Sequence, residues 1–139
     1  MKKIMIIAFL ALACGAWLAD AVDNHCAVVH PKPRIRFDRY ESSRVYIPVT
    51  NWSQYPNYLF RDAPELPPCG ANPNAARLWV DVYDADSGLK VYGFCDLPAR
   101  GDLRFIWFHS TANSGRVYII FKDRACNKSY KSNTISWHS

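Results

Sequence analysis

In several runs between residues 34 and 137, apolar side chains recur at every second position and almost nowhere at the three-and-four spacing of a helix. Val45, Ile47 and Val49 form one such file, and Ile35 and Phe37 another. A period of two belongs to an extended strand, whose successive residues face opposite ways. Such runs, broken here by Gly, Pro, Asn and Ser, read as antiparallel strands. The pattern predicts strands at 34–40, 44–50, 77–83, 89–95, 103–109, 116–122 and 130–137. Seven strands with turns at this spacing point to an all-β, antiparallel β-sandwich. Glu41-Ser42-Ser43 turns the first pair, and Asp84-Ala85-Asp86-Ser87-Gly88 the third and fourth strands, with a glycine able to take positive φ. Pro48 lacks an amide hydrogen, so its strand is expected to have a free flank or a bulge there.

Residues 1–21 read as a signal peptide: Lys2 and Lys3, an apolar run, then Ala19-Asp20-Ala21 as a small-x-small cleavage site. The apolar run is too short to span a membrane and no later stretch approaches that length, which leaves no transmembrane segment. Ala11-Leu12-Ala13-Cys14 is an imperfect lipobox, with alanine where leucine is expected, so a lipid anchor at Cys14 is the lesser alternative. Removing 21 of 139 residues leaves one domain, 22–139, and takes the net charge from +5 to +4. The basic residues are spread along the chain; Arg34, Arg36 and Arg39 fit a solvated strand face better than a nucleic-acid footprint. Periplasmic or secreted localisation follows, and with it an oxidising compartment for Cys26, Cys69, Cys95 and Cys126. Up-and-down connections would place all four at one end of the sandwich. Three pairings are open, and adjacency of strands favours Cys69–Cys95 and Cys26–Cys126, two disulfides each contributing roughly 2–4 kcal/mol.

Periodicity vanishes over 51–74, which carries Pro56, Pro64, Pro67, Pro68 and Pro73 together with Trp52, Tyr55, Tyr58 and Phe60. So long a loop in a small domain is usually functional or disordered, and its aromatic content argues for order. Rigid Tyr and Trp side chains among amides make a recognition surface of low entropic cost. Leu59 and Phe60 read as a cap on the core. The expected ligand contacts are Trp52, Tyr55 and Tyr58, with Asn57 and Arg61 beside them and Arg124 and Lys128 from the last turn.

The stretch GRVYIIFKDRACNKSYKSNTIS resembles the final hairpin of fibronectin type III-like domains: a Tyr-bearing strand, an Asp/Asn turn, then Ser-x-x-Ser-Asn before the last strand. Taken with RLWVDVYDADSGLKVYGFC, it also resembles small exported bacterial domains of unknown activity. These share Trp-Val-Asp-x-Tyr-Asp, Gly-Phe-Cys, Trp-Phe and Val-Tyr in that order. The resemblance implies a fibronectin III-like or immunoglobulin-like sandwich and brings no catalytic residues. Trp79 and Tyr118 stand where such domains keep a core Trp and a strand-F Tyr. They are expected, with Trp107, Tyr83, Tyr92, Phe94, Phe105, Phe108 and Phe121, in the core or its rim.

Asp81, Asp84, Asp86 and Gly88 lack the spacing and distal Glu of an EF-hand loop, and turn chemistry explains them. On one hairpin they do not flank a sugar bond from two sides. His25, His30, His109 and His138 lie in different segments, and Ser110 has no Gly-x-Ser-x-Gly elbow. No catalytic residues, metal ligands or cofactor site are assigned. The sequence reads as an exported, non-catalytic binding module for a protein or cell-envelope ligand. Two alternatives stand beside it: a periplasmic inhibitor or immunity protein against a hydrolase such as a lysozyme, and a subunit of a surface assembly that receives a strand at Pro48.

Overall fold

The computed structural model describes residues 24–68, 76–95 and 97–139. The expected leader, Cys14 and Cys69 lie outside the described residues. Among those described, eight strands form two antiparallel sheets, with little helix. In the smaller sheet β2 (Arg44–Tyr46) lies between β1 (Arg39–Glu41) and β5 (Trp107–His109). The larger sheet runs β4 (Lys90–Cys95), β3 (Leu78–Asp84), β6 (Ser114–Asp123). Along the far edge of β6 lie β7 (Lys128–Lys131) and then β8 (Ile135–His138). Short 3-10 turns occupy Asn24–Ala27, Trp52–Gln54, Asn57–Phe60 and Arg100–Phe105.

Three of the expected strands differ from what forms, each for a local reason. Over 34–40 the chain does run antiparallel to 46–50: Asp38 N–H donates to Tyr46 O, Arg36 N–H to Pro48 O, and Thr50 N–H to Arg34 O. Pro48 cannot return a bond, so only an isolated bridge, Ile35 to Val49, interrupts the irregular stretch before β1. The flank at Pro48 is therefore taken by the chain's own 34–38 segment. Ile47 and Val49 donate the other way, to Ile106 O and Leu103 O at 2.8 Å.

The first half of the expected strand 103–109 is the Arg100–Phe105 3-10 turn. Leu103 and Ile106 are buried while Phe105 points out, a period of three that belongs to eclipsed 3-10 positions. The expected strand 130–137 is split in two at Ser132. There the hydroxyl, in place of a backbone carbonyl, accepts from Ile119 N–H at 2.8 Å, while Ser132 N–H donates to Ile119 O. Asn133 is thereby turned toward the N-terminal segment, where its amide both accepts from Ile35 N–H and donates to Ile35 O.

Turn chemistry follows the sequence more closely. Ser42 and Ser43 both have positive φ, as a two-residue hairpin between right-twisted strands requires. Gly88 closes the β3–β4 hairpin at φ 73°. Both sheets contribute to one contiguous buried cluster. Val45, Ile47 and Val49 enter from one side, and Leu78, Val80, Val82, Val117, Ile119 and Phe121 from the other. Strand parity then sends Trp79, Tyr83 and Tyr118 to the opposite face of the larger sheet, so they line its outside and not the core. Tyr83 and Tyr118 stack there at 5.3 Å. Trp107, with Tyr92 and Phe94, closes the side where β4 and β5 approach.

Candidate functional site

The loop that begins at Asn51, the β4–β5 connection and the β6–β7 turn meet at one end of the fold. Arg77 N–H donates to Arg61 O and Arg124 N–H to Arg77 O. Asp62 bridges to Ala76, and Arg100 reaches the carbonyls of Tyr55 and Ser53. The N-terminal tail is joined to the same end by the disulfide Cys26–Cys126. Cys95 ends β4, opposite Trp79, at the entry to this end. Its expected pairing with Cys69 falls outside the described residues.

The ring-rich loop divides between inside and outside. Tyr55 is 1% exposed, packs edge-on against Phe121 at 5.1 Å and donates its hydroxyl to Pro31 O at 2.8 Å. Burial raises its phenol pKa well above the ordinary value. Tyr58 is half-buried: its hydroxyl is 3.1 Å from His30 Nε2, its ring stacks on His25 at 3.8 Å, and the Arg77 guanidinium lies 5.1 Å from its centre. Buried His30 is ringed by Tyr55, Tyr58 and Tyr130. Desolvation lowers its pKa, and the nearby Arg77, Lys128 and His25 act the same way against Asp123. Lys128 extends this inner group, donating to the carbonyls of Cys26 and Val28.

Arg124 belongs to the other side of the sheet, 5.4 Å from the centre of the Trp79 ring, with bonds to the Ala76 and Pro67 carbonyls. Beside it Trp79 Nε1 donates to buried Asp81 at 2.7 Å, and Lys122 pairs with the second oxygen at 2.9 Å. The Asp81 carboxylate raises the Lys122 pKa. Asp84 and Asp86 face elsewhere, to Ser87 N–H and to Arg116. Asn57 is exposed at the start of its 3-10 turn, and exposed Arg61 pairs with Glu65 at 2.7 Å.

Trp52 alone of the loop's rings joins an outward cluster. Arg104 lies 4.8 Å from its ring centre and 5.3 Å from that of Phe105, with Arg100 at 5.6 Å from Trp52. Phe105 is 62% exposed. Arg100, Arg104 and Phe105 escape a strand reading of 103–109. The legible signal is Pro98 and Gly101-Asp102 directly before Leu103, which mark a turn. His30 is invisible to spacing arguments because its partners are 25 to 100 positions away in the chain, at Tyr55, Tyr58 and Tyr130. Among the described residues no three His, Cys, Asp or Glu side chains are grouped so as to hold a metal ion. Compared with protein-family models, curated proteins and solved structures, the chain matches none.

Proposed function

We propose that this chain is an exported, non-catalytic binding module on a fibronectin III-like or immunoglobulin-like β-sandwich. Its ligand, a protein or cell-envelope component, meets the end of the fold at Trp52. The observation that carries this reading is Arg104 packed near both the Trp52 and Phe105 rings, with Phe105 62% exposed. Trp, Phe and Arg are the residue types that concentrate at interface centres, and a guanidinium packed against rings is ordered before any partner arrives. Asn57 and Arg61 border the same loop, and Arg124 and Lys128 carry positive charge around the other side of this end. Tyr55 and Tyr58 support the surface from beneath, through Pro31 and His30.

The non-catalytic reading rests on how the chemistry-bearing groups are engaged. His30 faces tyrosines, Asp81 faces Trp79 and Lys122, and Asp123 faces Arg77. Export rests on the leader and on a disulfide that persists in an oxidising compartment. The test is a pull-down from cell-envelope extract with the mature protein and its Trp52→Ala/Phe105→Ala variant. Loss of the specifically retained partner from the variant supports the reading; identical recovery from a folded variant rejects it. Tyr55 is left intact because its truncation would open the core.

A further inference from the structure

Nearly every cation among the described residues has something against it. Arg36 and Arg39 pair with Asp38, Arg61 with Glu65, Arg77 with Asp123, and Arg116 with Asp86. Arg44, Arg100 and Arg104 lie over tryptophan rings, and Arg124 bonds the Ala76 carbonyl. Lys90 and Lys122 approach Asp81, Lys128 bonds the tail carbonyls, and Lys131 lies over Tyr118. Among the described residues only Lys32 and Arg34 have no carboxylate, carbonyl or ring as partner. Both line the same open groove of about 460 Å³, with no Asp or Glu among its described lining residues.

This groove is built, and not a gap between mobile side chains. Asn51 accepts from Arg34 N–H at 2.9 Å and donates to Lys32 O at 3.0 Å and to Gln54 Oε1. On the opposite wall Asn133 clamps both backbone groups of Ile35. Two side-chain amides thus fix the segment that presents Lys32 and Arg34. Each keeps a lone pair on its oxygen, and Gln54 keeps its amide hydrogens. Two exposed cations, Lys32 and Arg34, side by side without a counter-charge favour an anion with oxygen acceptors, and the guanidinium fork matches carboxylate or phosphate.

The backbone state of the walls then selects among anions. An acidic peptide docking as a strand needs free main-chain groups, and here Arg34 N–H, Arg34 O, Ile35 N–H and Ile35 O are already paired. Apart from Pro31 and Pro33, its described lining residues are polar or charged. What the walls offer is fixed amides beside cations, which suits hydroxyls beside oxyanions. We infer that this groove binds an acidic oligosaccharide, its carboxylate or phosphate groups on Lys32 and Arg34 and its hydroxyls on Gln54 and Asn133. The groove adjoins the Trp52 surface through Asn51 and Gln54, which flank Trp52, and the inference goes beyond the role proposed for that surface.

Calorimetric titration of the mature protein tests this with tetragalacturonate, a phosphorylated tetrasaccharide, maltotetraose and tetraglutamate. At least one acidic sugar should bind about tenfold or more tighter than both the neutral sugar and the peptide, and should weaken as salt rises. The two acidic probes distinguish carboxylate from phosphate. Lys32→Ala/Arg34→Ala should lose about tenfold in affinity with an unchanged melting transition, since neither side chain has an internal partner. Phe105→Ala, whose side chain lies outside the groove lining, should bind the sugar as the parent does, so failure here and failure of the Trp52 surface are told apart. The inference is overturned if neither acidic sugar binds, if tetraglutamate binds equally well, or if the double variant retains full affinity.

Discussion

Arg77 and Asp123 face each other as a two-pronged ion pair inside the protein. Nε meets one carboxylate oxygen at 2.9 Å and Nη2 the other at 3.0 Å, with both side chains 2% exposed. The same Nη2 is 3.2 Å from Cys126 Sγ, and the guanidinium lies beneath Tyr58. One buried pair thus joins the start of β3 to the end of β6 and to the disulfide.

Removing one partner strands the other charge in a medium that solvates it poorly. Arg77→Met alone should therefore destabilise by about 3–5 kcal/mol, whereas Arg77→Met/Asp123→Leu should cost less than either single change. Urea unfolding of the three variants measures this. A double variant as unstable as the sum of the singles would mean the two residues act independently.

Cys26–Cys126 closes a loop with a sequence separation of 100 residues. Its main action is on the unfolded chain, so Cys26→Ser should lower stability by roughly 2–4 kcal/mol while leaving far-ultraviolet dichroism unchanged. Cys126→Ser and the double serine variant should match it, because each removes the same bond. Cys126→Ser clearly worse than Cys26→Ser would show that the Arg77 contact with Cys126 Sγ, and not the cross-link alone, sets the cost.

What could be read from the chain and what could not divides by distance along it. Val45-x-Ile47-x-Val49 and Val80-x-Val82 declare their faces locally, and Ser42-Ser43 and Gly88 declare their turns. The Cys26–Cys126 pairing formed as expected, although the first strand pairs with β2 and not with the last strand. The break at Ser132 did not, because a hydroxyl replacing a ladder carbonyl depends on Ile119 across the sheet. Trp79 was misplaced by analogy with a core tryptophan, although its own neighbours, Val80 and Val82, already put it on the other face. In the loop, Tyr55 and Trp52 look alike in sequence. Pro31 and Phe121 draw the first inward while Arg100 and Arg104 hold the second at the surface. The groove at Lys32 and Arg34 was hidden for the same reason, since Asn51 and Asn133 make it from remote positions.

His30 gives the fold a calculable response to acid. Its imidazole is buried beside Tyr58 Oη, with Tyr55 and Tyr130 around it and Arg77, Lys128, His25 and Asp123 as the charges that face it. Desolvation, reinforced by the cations, lowers its folded pKa below the ordinary 6.5. The unfolded chain then binds the proton first, so stability is full above about pH 6.5 and is lost as pH falls from there through the folded value. Urea midpoints measured at descending pH should fall across this window, and His30→Gln, which keeps a polar group toward Tyr58, should remove most of that slope. Because His30 belongs to the 24–31 tail, exchange of tail amides should accelerate over the same range. An undiminished slope in the His30→Gln protein would assign the acid response to another group.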